Sequence, residues 1–227
     1  ASVLIFNNPN DFSGALNLNG GTIVQNGLFD GISLVAATGT VFTNGAAAKL
    51  TGGSSIRSSG MVSLNDPEND FTGGVRMLTA NGWLDVSSLA ALGKGTVDLW
   101  SGTKFYIRGP GASQPEATLV PRNTTLDIQV AGVMTWSGDV VLPSESVYGG
   151  LTVAPRKSGT TVNFGSAGGE TTVKAEGKYG IGHEGQTGNG IHWYSHLQLG
   201  TNTLSQNNGL NVYLHHSDNE IGRLVNK

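Results

Sequence analysis

The chain has 227 residues and a net charge of −3, with 13% charged and 37% hydrophobic residues. This composition excludes a disordered chain, and the lack of a basic surplus excludes nucleic-acid binding as a main function. The absence of cysteine excludes disulfides and thiolate metal sites, and no apolar run is long enough to predict membrane insertion. The 35 glycines predict many turns between short strands.

In chain order, the predicted elements are strands of four to six residues with alternating apolar and polar side chains, separated by glycine and asparagine turns. The clearest lie at residues 2–6, 15–18, 22–25, 95–100 and 103–107. The best helical candidate, residues 86–93, is one short turn that ends in glycine. We predict a single all-β domain over 1–227, with a loop or sub-boundary near 109–116.

An internal repeat favours a parallel β-solenoid over the alternative, a β-sandwich. The sequence NDFSG at 10–14 recurs as NDFTG at 69–73, and MTWSG at 134–138 is a degenerate third copy. A period near 60 predicts three coils of roughly 20 residues each. The chain would then make ten or eleven coils, in a rod roughly 50 Å long. The aromatic residue of each copy is expected to enter the core.

The second copy resembles the passenger-associated transport repeat of bacterial autotransporters, which reads N-x-aromatic-[ST]-G-G, then A-L-G-x-G, then S-G-T. The matching letters here are NDFTGG at 69–74, AALGKGTV at 90–97 and SGT at 101–103. The clear resemblance covers about residues 64–103, with a partial one over 4–25. It implies a right-handed β-helix exported to the cell surface. It implies no particular activity, because such repeats occur in adhesins, structural proteins and stalks alike.

The first predicted strand begins at once, without a polar cap ahead of it. An uncovered solenoid end exposes unpaired backbone groups, which natural proteins normally cover. We therefore expect another segment or subunit to stack on an assembly edge formed by Val3, Leu4, Ile5 and Phe6.

All five histidines fall between positions 183 and 216. In the sequence HWYSH at 192–196, strand alternation places His192, Tyr194 and His196 on one face, and Trp193 on the other. Two hypotheses are a zinc or nickel site and a surface for a glycan or partner, and solvent-facing strand residues are the simpler alternative. The metal candidates are His192, His196, His215 and His216; the glycan or partner candidates are Trp193 and Tyr194.

Paired carboxylates would indicate glycan cleavage. The cluster Asp66, Glu68 and Asp70 lies beside the repeat, so we predict turn-capping roles for it. Asp85 and Asp98 are interpreted as isolated strand residues. All four tryptophans, Trp83, Trp100, Trp136 and Trp193, are expected to fill the core, although a glycan-binding solenoid would expose some of them along one face. No nucleophile motif is present, and no cofactor is predicted.

These patterns predict a non-enzymatic structural or adhesive protein, extracellular or displayed on a cell surface, which self-associates or stacks on a partner. One alternative is a phage virion component, either a capsid decoration protein or part of a tail spike or fibre, on a virion surface. A second alternative is a polysaccharide-degrading β-helix enzyme.

Overall fold

A computed structural model describes residues 2–7, 14–144, 150–176, 180–185, 187–206 and 210–226. The chain winds into a parallel β-solenoid whose longest sheet stacks eleven strands, and its turns visit up to three faces in a fixed order. Every strand pairing among the described residues is parallel, so the β-sandwich alternative is wrong. The predicted right-handed winding follows the usual hand of parallel crossovers and stays a prediction.

The strands are numbered in chain order and grouped here by face. Face 1 has eleven: β1 (Val3–Phe6), β3 (Gly21–Gln25), β6 (Thr40–Asn44), β9 (Met61–Leu64), β11 (Trp83–Val86), β13 (Lys104–Ile107), β16 (Thr124–Ile128), β19 (Leu151–Pro155), β22 (Ile181–His183), β25 (Thr203–Gln206) and β27 (Arg223–Asn226). Face 2 comprises β4 (Phe29–Asp30), β7 (Leu50–Thr51), β14 (Gly111–Ala112), β17 (Gly132–Trp136), β20 (Thr160–Phe164), β23 (Gly190–Trp193) and β26 (Asn211–Leu214). Face 3 has nine: β2 (Gly14–Leu18), β5 (Ile32–Ala36), β8 (Ser55–Ser58), β10 (Val75–Met77), β12 (Val97–Leu99), β15 (Leu119–Pro121), β18 (Val140–Leu142), β21 (Thr172–Ala175) and β24 (His196–Gln198).

The repeat period matches the winding. Strands β1 and β9 are three turns apart on face 1, and so are β9 and β16. The second and third copies, at 69–73 and 134–138, both fall between a face 1 strand and a face 3 strand. Most of the first copy lies outside the described residues. Three coils per repeat is therefore confirmed, and eleven strands at about 4.8 Å give the expected length of roughly 50 Å.

The core consists of columns of inward side chains that stack from turn to turn. On face 1 the central column includes Phe42, Val62, Leu84 and Phe105, all fully buried. On face 2 it is aromatic, with Trp136, Phe164 and Trp193 in successive rungs. Because each strand alternates between buried and outward positions, the polar residues in the same strands line the outer faces.

In the second repeat, Asn69 and Phe71 hold adjacent turns together in the gap of face 2 between β7 and β14. The Asn69 amide is buried, accepts from the Leu50 N–H (2.8 Å) and donates to the Ala91 carbonyl (2.9 Å). Phe71 is fully buried, as is Trp136 in the third copy, so the prediction that these aromatics enter the core is confirmed; Phe12 lies outside the described residues.

The glycines of the repeat allow its turns to approach closely. A Cβ on Gly74 would collide with the Thr96 carbonyl oxygen of the next turn, and one on Gly95 would collide with the backbone of Gly74. A Cβ on Gly93 would lie 2.8 Å from the Phe71 ring. Glycine is therefore required at 74, 93 and 95, because the backbones of neighbouring coils touch at these positions.

A second set of glycines marks the corner where face 3 passes into face 1. Almost every turn has one there, so this edge carries few side chains; the glycines are Gly20, Gly39, Gly60, Gly82, Gly102, Gly150, Gly180, Gly200 and Gly222. Asn123 takes the same place with a φ of 49°, the one positive φ outside glycine in the described residues. We call this edge the glycine corner.

The sheets continue across the predicted sub-boundary near 109–116, where β14 pairs with β17 on face 2. Leu89–Leu92 forms a short 3-10 helix, in place of the predicted helical turn at 86–93. Within the described residues, no helix is long and apolar enough to cross a membrane.

Candidate functional site

The first end of the solenoid exposes apolar side chains on an open sheet edge. Val3, Leu4 and Ile5 are 60%, 48% and 53% exposed, and β1 pairs only with β3 among the described strands. Leu4 aligns with Ile23 and so continues the inward column of face 1, and no described strand pairs beyond it. Phe6 differs from the prediction, because it is half-buried and packs edge-on against Phe29 at 5.3 Å.

The other end of the solenoid also exposes apolar side chains. Leu224 continues the inward column of Leu204 and is 66% exposed, and Leu214 is also exposed. Together with Val212 they line a depression of about 260 Å³. Among the described residues, the outer strands β1 and β27 thus both carry exposed apolar side chains, a feature that the sequence indicated only at the first end.

A cluster of aromatic rings lies on the outer side of face 2. It contains three of the predicted site residues, His192, Tyr194 and His215, together with Tyr213. The rings of His192 and Tyr213 stack with centroids 4.4 Å apart, and those of Tyr194 and His215 with centroids 4.2 Å apart. Gly190 leaves room for them, because its Cβ would lie 3.2 Å from His192 Nε2.

The two imidazoles in this cluster are hydrogen-bonded to each other. His192 Nδ1 lies 2.9 Å from His215 Nε2, and the two ring planes differ by 8°. One nitrogen must donate and the other accept, so this contact holds a single proton. Partial burial and the neighbouring His215 lower the pKa of His192, because a second proton would place two like charges in contact.

Trp193 is not available as a surface contact, which corrects the glycan or partner prediction for this residue. It is fully buried and stacks on Phe164 with ring centroids 4.0 Å apart. Its Nε1–H donates to His183 Nε2 at 3.1 Å. Tyr194 is half-buried on the outer side, as the strand alternation predicted.

The other predicted metal ligands form a separate pair. The rings of His196 and His216 stack at 4.7 Å, and His216 Nδ1 accepts from the Asp218 N–H. Within the described ranges, no three side chains from histidine, aspartate, glutamate or cysteine come together as metal ligands. The predicted zinc or nickel ligands therefore form two pairs of imidazoles, and neither pair has a third ligand among the described residues.

His183 is the buried histidine of the group and gives the protein a pH-dependent stability. Its Nδ1–H donates to the Ser205 carbonyl at 2.7 Å, and burial lowers its pKa from 6.5 to about 4. The unfolded chain therefore takes up this proton first as the pH falls, so stability decreases from about pH 6.5 and levels off near pH 4. By pH 5 the expected loss is about 2 kcal/mol.

Urea unfolding at pH 7.5 and pH 5.0 measures this loss. The variant His183→Gln should lose about 2 kcal/mol less than the wild type between the two pH values. His216→Gln, at the surface, is the matched control and should behave as the wild type does. An identical pH dependence in the wild type and His183→Gln would contradict the assignment.

Of the three carboxylates predicted to cap turns, Asp66 does so, Glu68 forms an ion pair instead, and no side-chain hydrogen bond of Asp70 is found in the described part of the chain. Asp66 Oδ1 accepts from the Glu68 N–H at 2.9 Å, which confirms its turn-capping role. Glu68 lies 2.8 Å from the Lys49 ammonium, and this hydrogen bond lowers the pKa of the carboxyl. A general acid of glycan cleavage needs a raised pKa instead.

The interpretation of Asp85 and Asp98 as isolated residues is wrong, because arginines from neighbouring turns reach both. Arg108 binds Asp85 with Nε and Nη2, at 2.7–3.1 Å. Arg76 and Arg122 both pair with Asp98. Such pairs couple successive turns along the outer faces, and their exposed members contribute little stability individually.

Trp83 is an exposed residue that the sequence analysis assigned to the core. Its indole is 37% exposed on face 1, held edge-on by Tyr106 at 5.7 Å and by the Lys104 ammonium 4.7 Å from its ring centroid. The signal was present in the sequence WLDV: Leu84 and Val86 are inward, so alternation makes Trp83 an outward residue.

Comparisons with protein-family models, curated proteins and solved structures found no match for this chain. The geometry shows the class, a parallel β-solenoid, and the autotransporter resemblance stays a prediction.

Proposed function

We propose that this protein is a non-enzymatic structural rod of a cell or particle surface, which assembles by end-to-end stacking of identical copies. The observation that carries the proposal is that β1 and β27 each pair with one strand among the described residues and that both expose apolar side chains. β1 and β27 are the two outer strands of one parallel sheet. The outer edge of β27 in one copy can therefore pair with the outer edge of β1 in the next copy.

Stacking β1 of one copy on β27 of the next would continue face 1 with the same strand direction. Leu4 and Leu224 both point along inward columns, so the junction would remove both from water. An interface between two different surfaces of the same chain is head-to-tail, and repetition of such a contact produces filaments unless the rotation closes a ring.

Light scattering after size exclusion, with electron microscopy of the same fractions, tests the proposal over a range of concentrations. The wild type should form chains whose mean length rises with concentration. Leu4→Lys blocks one end and Leu224→Lys blocks the other, so each variant alone should be monomeric. A mixture of the two should form dimers and nothing longer, because only one junction remains competent.

Val133→Lys is the matched control, since Val133 is 53% exposed on face 2 away from both ends. It should assemble as the wild type does. A wild type that stays monomeric at every concentration would contradict the proposal. Dimers of Leu224→Lys alone would contradict the head-to-tail arrangement, because they would require two copies of the first end to meet.

A further inference from the structure

A shallow groove follows the glycine corner along the first six turns of face 1. Three depressions compose it, of about 500, 260 and 140 Å³. Gly39 and Val41 line both the first and the second, so these two are continuous. Trp83 borders the second and Lys104 the third, and these two side chains touch across adjacent turns. The three depressions thus lie in a row across the strands, parallel to the rod axis, with the Trp83–Lys104 contact between the second and the third.

We propose that this corner groove binds a linear polysaccharide, with Trp83 as the stacking platform for a sugar ring. This inference is independent of the proposed assembly, because Trp83 lies in β11, several strands from β1 and β27, although the first depression begins beside β1 at Ser2. Binding sites for small polar ligands combine aromatic surface with a few fixed polar groups, and Trp83 and Tyr106 supply the aromatic part here.

Trp83 is held rigidly, which suits a stacking platform. Tyr106 contacts it edge-on, and Lys104 in the next turn lies over one ring face. Met61, its partner in the preceding turn, lines the same depression as the indole. Gly39 and Gly60 line the same depression, so the glycine corner contributes backbone and few side chains to it.

The polar residues that line the depressions favour an uncharged ligand with many hydroxyl groups. Hydroxyl and amide groups surround the two depressions beside Trp83; they belong to Thr38, Ser59, Asn81, Asn123 and Thr125. The charged residues of the lining are Lys104 and Asp127, and Asp127 is paired with Arg156 at 3.0 Å. A nucleic acid would require a row of cations, whereas neutral hydroxyl and amide groups match the hydroxyls of an uncharged glycan.

Affinity electrophoresis in native gels tests the proposal. The gels contain hydroxyethyl cellulose, laminarin, mannan or dextran as neutral probes, alginate as an acidic probe, or no polysaccharide. At least one neutral probe should retard the wild type. Trp83→Ala should lower the affinity for that probe roughly tenfold or more, as expected when a central aromatic contact is removed. Trp83→Phe should keep part of it, because an aromatic face remains.

Tyr213→Ala is the matched control, an exposed aromatic outside the groove, and should bind as the wild type does. Thermal unfolding followed by circular dichroism confirms that each variant is folded. Equal retardation of the wild type and Trp83→Ala would overturn the assignment of the groove. Absence of retardation by all neutral probes, or retardation by alginate alone, would overturn the ligand class.

Discussion

Replacing Phe71 with alanine is expected to lower the free energy of unfolding by about 3–5 kcal/mol. The phenyl ring is fully buried in the second repeat. Backbone hydrogen bonds of 2.9 Å fix the chain on both sides of it, from the Thr72 N–H to the Gly52 carbonyl and from the Lys94 N–H to the Phe71 carbonyl. The surrounding backbone therefore cannot collapse into the space left by the ring, and the cost should fall in the upper part of the range for such substitutions.

Urea unfolding followed by far-UV circular dichroism measures this change. Thr72→Ala, at the exposed neighbouring position, is the control and should cost no more than about 1 kcal/mol. A Phe71→Ala variant within about 1 kcal/mol of the wild type would show that the ring is dispensable to the core.

Replacing Asn69 with alanine is expected to cost about 3 kcal/mol or more, although the side chain is small. It would leave the Leu50 N–H and the Ala91 carbonyl without their present partners in a buried setting. Asn44 Oδ1 would also lose the bond that it accepts from Asn69 Nδ2 at 3.0 Å. Each buried polar group without a partner costs about 1–3 kcal/mol.

The same unfolding experiment, with two further variants, separates these contributions. Asn69→Asp keeps an acceptor for the Leu50 N–H but loses both donated bonds, so it should also be strongly destabilised. Asp70→Ala alters the exposed neighbour and should leave stability within about 0.5 kcal/mol of the wild type. If Asn69→Ala were as mild as Asp70→Ala, the amide would not connect the turns.

The sequence predicted the fold because its local and repeated patterns agree with each other. Alternation with a period of two residues marks the strands, and the second and third repeat copies lie at equivalent positions of the coil, three turns apart. Alternation also placed His192 and Tyr194 on the outer side of their strand. Within-strand geometry is local, so it can be read without knowing how the chain winds.

Contacts between turns could not be predicted in the same way. Val3 aligns with Thr22 in the first turn, whereas Leu151 aligns with Ile181 in a much longer one, because the corners differ in length. Without those lengths, neither the His192–His215 hydrogen bond nor the Asp85–Arg108 pair follows from the sequence. Trp83 differs from the expectation for another reason. The small number of tryptophans favours buried positions, whereas the alternation of its own strand, with Leu84 and Val86 inward, places Trp83 on the outer side.

The stacking of successive turns makes the length of the solenoid an independent property of this protein. Each turn meets only the turns before and after it, and Trp83 and Lys104 occupy equivalent positions in consecutive turns of face 1. Removing or duplicating the segment from Trp83 to Thr103 would therefore rejoin the backbone at matching points of the winding. Insertion or deletion of whole turns could therefore change the length of the rod without changing the contacts within the remaining turns.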